Sequence, residues 1–140
     1  MFQDGMKMSG KLTISLNDEV VREIDNLVVT AGKGFVASRM VGTSANVMSH
    51  MAVGSGSTAA AAGDTALGSE LGRTTTSASA SGAVVTYSST FAAGTGTGAV
   101  TEAGILNASS SGTMLCRTVF SVVNKGASDS MTVSWTVTVS

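Results

Sequence analysis

The sequence predicts a mainly β protein: an antiparallel, jelly-roll-like β-sandwich of about eight strands with one N-terminal helix. Three observations carry this. Apolar residues alternate with period two through the C-terminal third. Turn residues recur about every ten positions. Only one stretch has helical spacing, too few helices to connect a parallel sheet.

Taken in order, residues 1–10 are rich in Met and Gly without periodicity, and read as an extended arm; residues 11–140 read as one domain. Residues 11–16 alternate, with Leu12, Ile14 and Leu16 on one side, and form a short strand. Asn17 or Asp18 then caps a helix. Val20, Ile24, Leu27 and Ala31 follow at three- and four-residue spacing, Val21 and Val28 widen the stripe, and Gly32 supplies the stop. After it the period changes to two. Residues 35–41 and 47–53 read as strands around a turn at 42–46, and 54–63 is a Gly/Ser/Ala connection. Leu67 and Leu71 face inward from a helical turn over 64–71. Residues 73–80 form a Thr/Ser edge strand. Gly82 turns the chain into a strand over 83–92, where Val85, Tyr87, Ser89 and Phe91 share a face. Gly-rich 94–98 is a loop, and 100–108 is a strand interrupted at Gly104 by a bulge or a close backbone approach.

The last two strands are the clearest. Residues 113–123 set Met114, Cys116, Thr118, Phe120 and Val122 against Leu115, Arg117, Val119 and Ser121. Asn124, Lys125 and Gly126 make the turn. Residues 130–140 place Met131, Val133, Trp135, Val137 and Val139 on one face, and only Ser and Thr on the other. That is the signature of a half-buried antiparallel strand.

Composition narrows function. The chain has 140 residues, one domain's length. Its one cysteine excludes an intrachain disulfide framework. Only 12% of residues are charged, against about 25% in ordinary soluble domains. The formal net charge of −1 offers no field to attract nucleic acid or an anionic membrane. The first residues lack the apolar core of a secretory signal, and no apolar run is long enough for a membrane helix. A surface of Ser, Thr, Gly and Ala suits close packing against neighbours. The chain has no proline and few strand lysines, so nothing guards its sheet edges. They are expected to be closed internally or covered by a partner.

No reaction is written in the residues. His50, the only histidine, has no carboxylate beside it in sequence and reads as structural. One Cys and one His are too few for zinc. Cys116 reads as a small buried hydrophobe. Gly94-Thr95-Gly96-Thr97-Gly98-Ala99 fits G-x-G-x-x-A, yet a strand rather than a helix is expected after it, and position 119 is Val rather than acidic. Asp18, Glu19, Glu23 and Asp25 read as the solvated face of the helix, with Glu102 and Asp129 isolated. Aromatics are sparse and not interleaved with basic residues, and Trp135 reads as core. The expectation is therefore a non-enzymatic chain with no catalytic, cofactor-binding or metal-binding residue.

Three segments carry a resemblance: MAVGSGSTAAAAGDTALGSELGR (51–73), VVTYSSTFAAGTGTGAVTEAGILNAS (84–109) and GTMLCRTVFSVVNKGASDSMTVSWTVTVS (112–140). They resemble small virion proteins of tailed bacteriophages, in which a "GTGTT-A…DT-L-E" segment precedes "FAAG-GTGA-TEAGIFNA", and "GTMLARTVF" leads into "VNKGA-DTLTVTWT". The similarity covers roughly residues 40–140. It implies a capsid decoration (cement) protein with a jelly-roll-type fold, sitting on the outer capsid and stabilising contacts between major capsid subunits. The implied partners are the major capsid protein and further copies of the chain, as a dimer or trimer; no cofactor, nucleic acid or membrane is implied. Assembly would occur in the host cytoplasm. The alternative implied role is a tail-fibre or baseplate module that binds a host-surface receptor.

Overall fold

The computed structural model describes residues 6–42 and 46–140. Nine strands and one helix follow in the order β1 (Met8–Leu16), β2 (Glu19–Val28), α1 (Thr30–Met40), β3 (His50–Gly54), β4 (Glu70–Thr75), β5 (Ser77–Ser81), β6 (Val84–Phe91), β7 (Gly98–Leu106), β8 (Met114–Lys125) and β9 (Met131–Val139). All strand pairs are antiparallel, in the order β4-β3-β7-β8-β2-β1-β9-β6-β5. The protein is a mainly β, antiparallel, nearly closed sheet.

Closure occurs at two seams. The end strands β4 and β5 are separated by Thr76 alone, so one continuous run borders both ends of the sheet. The Thr76 amide donates to the Ser49 carbonyl (2.9 Å), extending the β3–β4 pairing, while its hydroxyl donates to the Ser88 carbonyl on β6 (3.1 Å). The Ser89 hydroxyl donates to the Thr75 carbonyl (3.1 Å) and ties the same junction. At the other seam β2 and β8 pair only through Leu27↔Arg117 and Val28↔Cys116. Beyond that the strands part, and the Arg22 guanidinium donates to the Ser121 and Val122 carbonyls at 3.0 and 2.7 Å. Side-chain donors replace a missing ladder, which keeps β8 carbonyls satisfied.

The core lies inside this sheet. Alternate residues of β9 (Met131, Val133, Trp135, Val137) are buried together with Tyr87 and Phe91 of β6 and Leu12 and Ile14 of β1. The period-two reading of β6 and β9 therefore places the core correctly, whereas that of β8 does not: Leu115 and Val123 join Cys116 in the core, Met114 lies in a separate cluster and Val122 is 42% exposed. Helix α1 contributes Phe35 and Val36 to the same cluster. It sits close on β8, because an added Cβ at Gly32 would lie 2.1 Å from the Leu115 carbonyl oxygen.

Five sequence expectations need correction. The helix expected after Asn17 and Asp18 is strand β2, and the helix lies at Thr30–Met40, so residues 35–40 are helical rather than a strand and Val41 caps the helix. Asn17 (φ 49°) and Asp18 (φ 67°) both adopt left-handed backbone, the conformation of a two-residue hairpin turn, and Leu16 pairs with Glu19. Val21 is the extra residue of a bulge opposite Ile14 and Ser15, which shifts the alternation midway and imitates helical spacing. Gly32 is a buried residue inside α1, not its stop. The expected arm is partly strand: Met8, Ser9 and Gly10 belong to β1, and residues 1–5 lie outside the described residues.

The remaining differences are local. Residues 47–49 precede β3, and 43–45 of the expected turn lie outside the described residues. Residues 64–69 form no helical turn, and the expected single strand over 73–80 is split between β4 and β5. Gly104 is regularly paired with Ala52 and Arg117; the irregularities of β7 fall at Val100/Glu102 and Ile105/Leu106. Gly104 does mark a close approach, with an added Cβ 3.0 Å from the Met114 methyl and 3.2 Å from the Cys116 carbonyl oxygen.

Candidate functional site

The strongest polar constellation is one that sequence reasoning missed. Glu102 on β7, Arg117 on β8 and Asp64 in the long loop before β4 converge on the outer surface of the sheet. Glu102 is fully buried and Arg117 only 2% exposed. The Arg117 guanidinium donates to Glu102 through Nε (3.1 Å) and Nη2 (2.9 Å), and to Asp64 through Nη1 (2.8 Å). Nη2 also reaches the Thr58 carbonyl at 3.0 Å. Three backbone amides complete the carboxylate's shell: Gly56 (2.7 Å), Gly68 (2.8 Å) and Ser69 (2.8 Å). Glu102 was expected to be isolated; it accepts five hydrogen bonds instead. The signal was invisible because its partners lie 15 to 46 residues away in sequence.

The chemistry of this arrangement is structural. Burial pushes the Glu102 carboxyl up, but the Ser69, Gly68 and Gly56 amides and the Arg117 guanidinium more than offset this, and hold it below its ordinary value. Asp64 is likewise lowered, chiefly by the Ala61 amide. A carboxylate with every lone pair engaged and no solvent contact neither donates nor takes a proton in a reaction. It pins residues 55–69 across β7 and β8. The loop needs glycine there: an added Cβ at Gly56 would fall 2.4 Å from Glu102 Oε2. Leu67 packs under the same loop against Ala52, Leu106 and Met114.

The residues weighed from sequence fall elsewhere. His50 is half-buried, with Nδ1 2.8 Å from the Ser49 hydroxyl; no carboxylate bonds to it among the described residues. Cys116 is fully buried and its thiol is pushed far up by desolvation. Trp135 is core, and its indole N–H has no partner among the described residues. Asp129 was expected to be isolated, yet it accepts from the Asn17 amide (3.0 Å) and the Gly126 backbone (2.8 Å), locking the β8–β9 turn to the β1–β2 turn. Glu19, Glu23 and Asp25 are exposed, as expected, but on a strand. The Gly94–Gly98 loop leads directly into strand β7. No group of three or more metal-ligating side chains occurs among the described residues, and no helix is long and apolar enough to cross a membrane.

Two surface features remain. The first is the outward face of β5, β6 and β9. The register aligns Ser77, Ser88, Ser134 and Thr13 in one row across four strands, and Ser79, Thr86, Thr136 and Lys11 in the next. No residue from Thr74 to Thr101 is charged, nor any from Ser130 to Ser140. This face is hydroxyl-rich and charge-free until Lys11 on β1. The second is a cleft of about 370 Å³ beside β5, lined by Phe35, Val47, Met48, Ala78, Ala80 and Tyr87, among others. Its surroundings are largely apolar, with Arg39 among the lining residues, and open: Val47 is 58% exposed, and Met40 and Val41, ending the helix that walls it, are 81% and 82% exposed.

These features define a β scaffold with a buried ion-paired cluster under a loop and a hydroxyl-rich outer face. No protein-family model, curated protein or solved structure matches the chain.

Proposed function

We propose that this protein is a structural component of a bacteriophage virion, a decoration protein that binds the outer capsid and stabilises contacts between major capsid subunits. The observation that carries the reading is the charge-free hydroxyl face of β5, β6 and β9. Ordinary soluble domains cover such a face with Lys and Glu, whose desolvation opposes burial. Short Ser and Thr side chains lose little rotamer freedom on burial and can hydrogen-bond a partner surface. The loop clamped by Glu102 and Arg117 adds rigidity, as an assembly part under load requires. The resemblance of roughly residues 40–140 to small phage virion proteins supports the same role, with the two halves of the nearly closed sheet read as a jelly-roll-like sandwich.

The test is quantitative mass spectrometry of purified particles. About one copy per shell subunit is the expected ratio, whereas a ratio of a few hundredths would move the protein to the tail and overturn the capsid reading. Thr86→Glu and Thr136→Glu should reduce particle occupancy while the domain stays folded.

A further inference from the structure

We propose that β5 is a self-association edge, through which two copies pair antiparallel about a two-fold axis at Ser79. This uses the edge of the sheet rather than its outward face, and stands independently of the capsid reading. The argument begins with the two end strands. β4 carries Glu70 and Arg73, joined by an ion pair of 2.7 Å, and Arg73 also bonds the Ala108 and Ser111 carbonyls. Charges on that strand discourage another strand from adding there. β5 is the opposite case. It ends the sheet beyond β6, all five of its residues are exposed, and it has no charge, proline or bulge. Its outer side therefore presents an unguarded strand edge.

The sequence Ser77-Ala78-Ser79-Ala80-Ser81 specifies the occupant. It reads the same in both directions, so a two-fold at Ser79 sets Ser77 against Ser81 of a second copy, Ala78 against Ala80, and Ser79 against Ser79. In a two-fold contact residue i meets j and j meets i, and here every such pair is of one residue type. The faces agree as well. Ser77, Ser79 and Ser81 share the outward side with Ser88, Thr86 and Val84, while Ala78 and Ala80 share the inward side with Tyr87 and Val85. Pairing therefore joins the two hydroxyl faces into one continuous surface.

Five strand residues alone bury far less than the roughly 1,200 Å² of a stable interface. The cleft adds apolar surface to that contact. It runs along the inward side of β5, with Val47 at its rim and Met40 and Val41 at the helix end beside it. A second copy on β5 would bring two such clefts together across the axis and cover this apolar surface.

Sedimentation velocity of the purified chain, over micromolar to submillimolar concentrations, reads the association. A dimer is expected; a monomer throughout overturns the proposal. Two variants locate the contact: one with Ser77, Ser79 and Ser81 all replaced by Glu, the other with all three replaced by Lys. Each sets three like-charge pairs opposite one another and should weaken dimerisation about a hundredfold. An equimolar mixture should recover the dimer through opposite charges. Variants that dimerise like the native chain would overturn the β5 assignment. A readout that needs no variant is amide hydrogen exchange of the native chain. Protection of β5 should rise with protein concentration, and concentration-independent exchange there would also overturn it.

Discussion

Replacing Glu102 by Gln removes one charge from a fully buried site and changes almost no volume, so its effect isolates the electrostatics of the loop clamp. In the native chain Glu102 accepts from three amides and twice from Arg117. Gln keeps one acceptor oxygen and turns an NH2 group towards donors that have nothing to give it. Removing one partner of a buried pair costs about 3–5 kcal/mol. Asp64 stays within 2.8 Å of Arg117, on a side chain about a quarter exposed, and leaves partial compensation. The expected loss is therefore near the lower limit, about 3 kcal/mol. With a urea slope of about 1.5 kcal/mol/M, the midpoint should fall by about 2 M, and the melting temperature by about 10 °C. Residues 55–69 should exchange their amides faster and become the first site of proteolysis. A loss under about 1 kcal/mol, at unchanged slope, would refute the claim that this network holds the loop.

The same substitution separates a pH effect. The Glu102 carboxyl lies below its ordinary value in the folded chain, so the unfolded state takes up the proton first as pH falls. Its contribution is complete above the unfolded value near pH 4.3 and is lost as pH falls through the lower folded value. Urea midpoints of the native chain should drop in that acid window, and the Gln variant should show a flatter profile. Gly32→Ala should destabilise by about 1–3 kcal/mol, because the new methyl meets the Leu115 backbone, whereas Gly34→Ala in the same helix meets nothing within 4 Å and should stabilise by about 0.5–1 kcal/mol; thermal melts of the pair decide it. Asp18→Gly should stabilise by several tenths of a kcal/mol or more, since Asp18 occupies a left-handed turn position that favours glycine. The Cys116 thiol should resist a soluble disulfide reagent in the folded protein and react only after unfolding, as followed by thiol titration.

Local periodicity made the strands of the C-terminal half legible. In β9 the alternation of Met131, Val133, Trp135 and Val137 with Thr and Ser already divides inside from outside, because a strand's faces are set by its own backbone. The burial of Cys116 and Phe91 followed from the same rule. Residues 17–40 were different. The run from Glu19 to Val28 satisfies both periods, and one bulge residue, Val21, blurs the alternation. The choice was made by the left-handed pair Asn17 and Asp18 and by the β1 edge that β2 completes. The helix then begins in TAGKGFVASRM, whose two glycines weaken any local helical preference; contact with Leu115 and the core holds it there.

The Glu102–Arg117–Asp64 cluster, the Thr76 seam and the cleft beside β5 lay beyond any local reading. Each depends on which strands become neighbours, and that is fixed by register between segments far apart in the chain. By itself, then, the sequence determined a proline-free, charge-poor β protein and the inward faces of β6 and β9. Only the tertiary structure decided where the sheet closes, which carboxylate is buried, and which edge stays open. Burial pattern is a property of one strand, whereas closure and ion pairing are properties of strands brought together.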